Sequence, residues 1–517
     1  MAITPKPAHS SGVTESSWFA TAAPLPTYPR LSSSLTTDVV IVGGGIAGLT
    51  TAYLLGRASK QVVVLEDGEL ASGESGRTTA HLSFALDDRY TTLEELFGKE
   101  GAQLAAESHR TAVDVIEEIV QRENIDCDFT RLDGYLFLPQ TGTPKELDEE
   151  LAAATRAGLQ GLRRQATAGT QGFEPGECLV FPNQGQFHIL KYLRGLTEAI
   201  TRQGGRIFTN THVEAVQGGK DARAVVREGL EVQAQAVVVA TNTPFNDRVV
   251  MHTKQHPYRT YVVGARVPKG SVTKALYWDT ADPYHYIRLQ EVENTDYDLL
   301  IVGGEDHKTG QEEDPEDRLR CLEFWVRAHF PTAGEIEYRW SGQVMEPSDG
   351  LGYAGRNPLD EDNLYIITGD SGHGMTHGTL GSLIITDLLL GAENPWAKLY
   401  DPGRVTVRFE SVKEFVRENV NVAAEYTELL TGGDVKTAEE VAPGTGAVLR
   451  RGPTKVAVYR DEQGQAHECS AICPHLGCVV HWNSLEKSWD CPCHGSRFTA
   501  LGELLSGPAN SNLASLS

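Results

Sequence analysis

Runs and alternations of apolar residues divide the chain into two unlike parts. "DVVIVGGG" (38–45) sets four consecutive β-branched residues before three glycines, a pattern that predicts a strand buried on both faces. "IAGLTTAYLLGRAS" (46–59) changes to helical spacing and "QVVVLED" (61–67) returns to a buried strand, so 38–67 reads as a βαβ unit. Amphipathic helices are predicted over 92–122 and 144–168, with "CDFTRLDGYLFLP" (127–139) between them as a strand pair. A helix follows over 191–204 and a buried strand over 234–242. "YHYIRLQ" (284–290) and "YDLLIVGG" (297–304) predict paired strands of a second sheet, and 363–391 reads as strand, glycine turn and helix. Beyond 446 the pattern changes to short alternating strands with turns such as "DEQGQ", the mark of a small all-β module.

Length and composition sharpen this division. With 517 residues, two or three domains are expected. Residues 1–36, rich in Ser, Thr and Pro, read as an irregular lead-in, and 426–446, rich in Gly, Thr and Glu, as a linker. A net charge of −24 argues against a nucleic-acid partner. The N-terminal stretch shows no basic segment followed by an apolar one, and no run reaches the roughly 18 apolar residues of a membrane span, so a cytoplasmic protein is expected. Cys127, Cys178, Cys321 and Cys469 are scattered and read as reduced packing residues.

Gly43, Gly45 and Gly48 form G-x-G-x-x-G between a strand and a helix. The first glycine permits the tight turn, the second lets the backbone approach a pyrophosphate, and the third lets helix and strand pack closely. The helix N-terminal amides of Ile46 and Ala47 then face the phosphates, and Glu66, about 20 residues on, can accept from ribose hydroxyls. This loop alone leaves FAD and NAD both open. A second glycine-rich turn, "TGDSGHGMTHG" (368–378), supplies another close backbone approach late in the chain through Gly369, Gly372, Gly374, Met375 and Thr376. With "SGRTTAHLS" (75–83), "VVVATNTPF" (237–245) and "RWSGQVMEPSDGLGYAG" (339–355), the arrangement resembles the glycine/D-amino-acid oxidase superfamily of FAD enzymes over roughly residues 36–400. The resemblance implies bound FAD contacted by Arg77, Thr78 and His81. His81 is expected to touch the flavin without a covalent bond, although some relatives attach FAD there. Asp370, His373 and His377 spell a carboxylate and two-histidine iron pattern, but inside this glycine turn they read as structural or flavin contacts.

The superfamily oxidises C–N bonds by hydride transfer, so its catalytic residues are mostly positioning groups. The resemblance implies an arginine on the substrate sheet that clamps a carboxylate with both nitrogens. Arg288 stands where it would be expected, with Tyr286 on the same face by period-two alternation; Arg259 and Tyr261 are secondary candidates. His285 is expected on the other face.

Near the C-terminus, Cys473-x-His475 is followed, fifteen residues on, by Cys491-x-x-His494. Each half offers one thiolate and one imidazole, a set that suits zinc or two irons with different ligands. The flanking residues in "CPHLGC" (473–478) and "CPCHGSRF" (491–498) resemble the two cluster-binding loops of Rieske [2Fe–2S] proteins. That resemblance implies Cys473, His475, Cys491 and His494 as iron ligands and Cys478–Cys493 as a disulfide bracing the loops. Ser496 matches a serine that donates to a cluster sulfur, and "SGPAN" (506–510) resembles the proline loop over the cluster. Phe498 departs from high-potential members, which carry a tyrosine there.

The chain thus reads as an α/β (α+β) Rossmann-like FAD domain (37–425) with an inserted antiparallel substrate sheet (about 86–180 and 255–335), followed by a small all-β Rieske domain (447–517). The expected partners are an amine or amino acid, oxidised by deamination or N-demethylation, and an acceptor that takes electrons singly from the cluster. The other reading is an electron-transfer component whose flavin is reduced by a partner and whose cluster feeds an oxygenase. Phe498→Tyr should raise the cluster's potential within the Rieske window of about −150 to +300 mV. A redox titration followed by EPR checks this, and an unchanged midpoint would count against the reading.

Overall fold

Val39–Val42 forms the predicted strand with every residue buried, because it lies inside a sheet covered on both sides. Its neighbours are Val62–Leu65 on one side and Ala236–Val239 on the other, both parallel to it. Arg206–Phe208 and Leu364–Thr368 extend the parallel sheet, and Tyr353–Arg356 closes one edge antiparallel. The helices Ile46–Arg57 and Gly374–Leu390 pack tightly together: a Cβ on Gly378 would come within 3.0 Å of Ile46, and Thr51 Oγ1 donates to Ser382 Oγ at 3.0 Å. This computed structural model describes residues 11–516, apart from 140, 247–250, 312–313, 407–416, 418 and 423–424.

The second sheet has nine strands among the described residues and runs from Ile336–Pro347 through Gln255–Pro268, Tyr297–Lys308 and Tyr286–Glu291 to Cys178–Gln186 and His81–Leu82. It is antiparallel as expected except where Leu276–Asp279 lies parallel to Thr130–Phe137. The helix predicted over 92–122 lies within Arg89–Glu123, but Gly98, at φ 73° and ψ 176°, breaks it into two helical pieces across a kink. The next helix is shorter than predicted, Pro144–Arg156, because Gly158 turns the chain with φ 90° and 163–165 adds a strand instead. The predicted strand pair at 127–139 is one strand, Thr130–Phe137, with a bulge between Leu132 and Gly134.

The lead-in is largely without helix or strand over 11–34, as expected, but it carries one short helix and is packed against the large domain. Trp18, on the short helix Ser17–Thr21, is fully buried, its indole N–H donates to Thr78 O, and its ring lies 5.2 Å from the Arg288 guanidinium. Ser11 and Ser16 are buried as well, so this segment straps the large domain.

The C-terminal module holds a three-stranded sheet (Thr445–Arg451, Thr454–Arg460, Ala466–Ser470) and a four-stranded one (His481–Asn483, Ser488–Asp490, Arg497–Thr499, Leu504–Ser506). A buried ionic network joins it to the large domain. Glu486, 0% exposed, pairs with Arg77 at 2.8 Å, lies 3.9 Å from Arg259, and accepts from the Ser341 hydroxyl. Asp490 pairs with Arg497 at 3.0 Å and lies 3.9 Å from Arg259, and Arg497 donates to Ser11. Burial pushes the Glu486 carboxyl up, but Arg77, Arg259 and Arg497 overcome it and hold the group down to about 2.

Removing the carboxylate leaves guanidinium groups buried without compensation, so Glu486→Ala should destabilise the protein by about 3–5 kcal/mol in denaturant unfolding. Because the folded pKa is depressed, Glu486 stabilises fully above its ordinary value of 4.5 and loses that contribution as pH falls toward about 2. In Glu486→Ala that acid-dependent part of the stability should be missing.

Candidate functional site

One deep cavity runs from the glycine loop to the large sheet. Gly43–Ala47 line one end, where the helix Ile46–Arg57 begins with no acidic side chain in its first turn. The Ile46 amide donates to Ser75 Oγ at 3.0 Å. The glycines are required by contact: a Cβ on Gly43, at φ 113°, would sit 2.4 Å from Ala240 O, and one on Gly48 would sit 2.0 Å from Gly43 O. Glu66 ends the second strand, lines the cavity, and accepts from the Gly44 and Gly68 amides at 2.6 and 2.9 Å. Gly372, Gly374 and Met375 bring the start of the second helix to the same space, while Gly369 and Thr376 stand just behind this wall.

At the far end the wall is Thr260, Trp278, Tyr284, Tyr286 and Asp306 from the large sheet and its connections, with His81, Asp87 and His373. Tyr286 lies across its neighbouring strand, and a Cβ on Gly303 would fall 2.2 Å from its ring. The Tyr284 and Tyr286 rings are 5.4 Å apart, and the Tyr284 hydroxyl donates to Asp87 Oδ2 at 2.9 Å. Burial pushes the Asp306 carboxyl up to about 7, with nearby Asp87 adding to the rise. Burial, with Arg288, pushes His81 down to about 3, and both its ring nitrogens bond within the protein, to Thr79 Oγ1 and Ile287 O.

In the C-terminal module two tight loops face each other. Cys473 N–H donates to Cys478 O, and Cys491 N–H to Ser496 O, at 2.9 and 2.8 Å. The Cys473 and Cys491 thiols are buried and in hydrogen-bonding contact, and the His475 and His494 rings stand 5.0 Å apart. Burial, with His252 and His475 nearby, drives His494 down to about 2, which keeps it in the neutral, metal-binding form. Cys478 and Cys493 form a disulfide with Cα atoms 6.4 Å apart. Ser496 bonds the Cys473 sulfur and accepts from the Ala509 amide at 3.0 Å, and Phe498 is fully buried.

The profile of the FAD dependent oxidoreductase family matches residues 38–388, and that of the Rieske [2Fe-2S] domain matches 433–517. The chain belongs to the FAD dependent oxidoreductase family. It is 30% identical over 494 residues to the protein of Bacillus subtilis (strain 168) named as a Rieske 2Fe-2S iron-sulfur protein, YhfW, covering 95% of this chain and 96% of that one. It is 28% identical to the gamma-glutamylputrescine oxidoreductase of Escherichia coli (strain K12), over 73% of this chain and 89% of the relative. Among solved structures, glycine oxidase from Geobacillus kaustophilus superposes with a TM-score of 0.58 at 19% identity, covering 72% of this chain and 99% of that one.

As an FAD dependent oxidoreductase with a Rieske domain, the protein binds FAD and a [2Fe–2S] cluster, and the observed residues fit both. The cradle has no room for side chains at Gly43 and Gly48, and two buried thiols beside two imidazoles offer the mixed sulfur and nitrogen set that such a cluster takes.

Several site residues lie elsewhere than expected. Arg288 is fully buried behind the cavity and donates to Thr79 O, Ala80 O, Phe187 O and Gln290, so no carboxylate clamp is built there. Arg259 faces the C-terminal module, and Tyr261 bonds His307 at 2.8 Å on a buried face away from the cavity. Tyr286 alone of these four lines the cavity. Arg77 lines it too, but its guanidinium belongs to the Glu486 network, while Thr78 lines the wall beside it. His285, in contrast, is where it was expected, on the other side of the sheet, paired with Asp279 and stacked on Trp325. Asp370, His373 and His377 do not converge: Asp370 accepts from Met345 N, His373 from Asp87 N, and His377 donates to Thr368 O.

Sequence reasoning missed two features. Leu504–Gly507, Ala509 and Asn510 of the C-terminal module form part of the cavity wall. His252, from the large domain, packs against both cluster histidines, with ring centroids 4.8 Å from His475 and 5.7 Å from His494. Only the likeness of "SGPAN" to a cluster-covering loop hinted at the first, and nothing around His252 marks it.

Gly48→Ala should crowd the Gly43 carbonyl, lower stability by about 1–3 kcal/mol and reduce bound FAD. The thermal midpoint and the flavin-to-protein absorbance ratio of the purified protein check both.

Proposed function

We propose that the protein oxidises an amine or amino acid, FAD taking a hydride from the carbon that bears nitrogen and the Rieske cluster delivering the electrons singly to a separate acceptor. The observation that carries this reading is the shared wall. The C-terminal module supplies Leu504–Gly507, Ala509 and Asn510 to the cofactor cavity, and the Ala509 amide donates to Ser496 beside the second cluster-binding loop, which supports a short path between the two cofactors. His252 adds to it: the ring touches both cluster histidines and donates to Pro244 O at 3.1 Å, between Thr243 and Phe245 of the cavity wall. A plain oxidase can return electrons to oxygen and needs no such module. The gamma-glutamylputrescine oxidoreductase relative, at 28% identity, supports chemistry at an amine.

The substrate-side residues position rather than react. Tyr284, Tyr286 and Trp278 form an aromatic wall that excludes water, and neutral His81 leaves a neutral amine neutral. The substrate loses a hydride from carbon and a proton from nitrogen, giving an imine that water hydrolyses to a carbonyl compound and an amine or ammonia.

Anaerobic mixing of the full-length holoprotein with candidate amines and amino acids tests the reading. Flavin absorbance should bleach first and the reduced cluster's EPR signal should follow, with two one-electron equivalents delivered per carbonyl product. Bleaching by NADH alone, with every amine inert, would show an electron-transfer component instead.

A further inference from the structure

The charges around the cavity bear on which amine enters. Among the described residues its wall holds the carboxylates Asp87 and Asp306 at the large-sheet end, and no lysine anywhere. Arg77 is the one arginine in the wall, and Glu486, Ser341 O and Thr14 occupy its guanidinium. Arg288, which could have met a substrate carboxylate, is sealed against backbone carbonyls. The histidines at this end add no cation, since burial lowers both His81 and His373. A carboxylate on the reacting carbon would therefore enter a low-dielectric pocket with acidic neighbours and no cation to pair with.

The same end is built to take a cation. The Asp306 Oδ1 atom is enclosed and accepts no hydrogen bond. Asp87 receives only the Tyr284 hydroxyl on one oxygen, with His373 Nε2 3.7 Å from the other. The Tyr284, Tyr286 and Trp278 rings surround this space, and aromatic faces attract ammonium groups.

We propose that the substrate is an aliphatic diamine or polyamine, without a carboxylate on the reacting carbon, whose distal ammonium is held by Asp306 and Asp87 inside the Trp278–Tyr284–Tyr286 wall. This rests on the amine-oxidation reading above. The reacting nitrogen enters neutral: R–CH2–NH2 gives a hydride to FAD and a proton to water, and the R–CH=NH formed is hydrolysed to aldehyde and ammonia. The distal ammonium stays charged throughout.

The test uses the full-length holoprotein under anaerobic conditions with 1,4-diaminobutane, n-butylamine, and D- and L-amino acids. Flavin bleaching by the diamine should exceed that by n-butylamine by about 10- to 100-fold in kcat/KM, the worth of a buried charged hydrogen bond. The amino acids should be slower still. Asp306→Asn should narrow the diamine-to-monoamine ratio while FAD content is retained, whereas a merely structural role would lower both substrates alike. If amino acids bleach the flavin faster than the diamine, the amine-or-amino-acid reading stands and this proposal falls. An unchanged ratio in Asp306→Asn also overturns it. The wild-type series decides the substrate class even if the variant fails to fold. If no nitrogen compound bleaches the flavin and NADH does, both readings fall together.

Discussion

A carboxylate buried among three arginines is the contact on which the arrangement of the two domains depends. Glu486 lies in the C-terminal module on the turn before Ser488–Asp490, whereas Arg77 and Arg259 belong to the large domain. Neither set of charges could be taken out of water alone, since isolated buried ions are too costly. Each domain therefore presents half of a network that is tolerable only when docked. That argues for a module held in one position, and the N-terminal strap closes the same network by accepting from Arg497 at Ser11.

The network explains why Arg259, expected as a substrate ligand, is not at the cavity, and why the guanidinium of Arg77, expected at the FAD, is engaged elsewhere although the residue lines the wall. Arg259 sits on a strand of the large sheet, where period-two alternation does not reveal that another domain covers its face. Arg77 follows the phosphate-side segment, and its backbone serves the cavity while its side chain serves the interface. Both are drawn off by Glu486 and Asp490, whose positions near the end of the chain carry no local sign of long-range pairing. Arg288 is a different case. Its strand and register are as expected, but the lead-in places Trp18 over its guanidinium and the chain around Thr79–Ala80 supplies carbonyls.

What local chemistry dictates was legible. The glycine loop, the acidic residue after the second strand, the second glycine turn and the paired Cys-His loops each depend on a few adjacent residues whose types admit one geometry. Their fold consequences followed: a parallel sheet of β-branched strands, a second sheet, and a small all-β module. Boundaries set by single glycines, such as Gly158, and the bulge between Leu132 and Gly134 were less visible. The irregular course of the lead-in was legible, but its anchoring was not: the hydroxyls of Ser11 and Ser16 are buried donors, and Trp18 supplies the anchor.

The two domains also divide the wall of one cavity. With Leu504–Gly507, Ala509 and Asn510 in that wall, the C-terminal module is part of the cofactor's enclosure as well as the holder of the iron ligands. The Ser496 hydroxyl bonds both the Cys473 sulfur and the backbone of Ala509, so one side chain links the cluster site to the loop that lines the cavity. On the other side Gln343, from the large sheet, lines the cavity and donates to Gly495 O of the second cluster loop at 3.1 Å. A displacement of either cluster loop would therefore disturb the cavity wall, and a change in that wall would be felt at Cys473. Cofactor cavity and Rieske loops are thus mechanically one unit, linked by Ser496 on one side and Gln343 on the other.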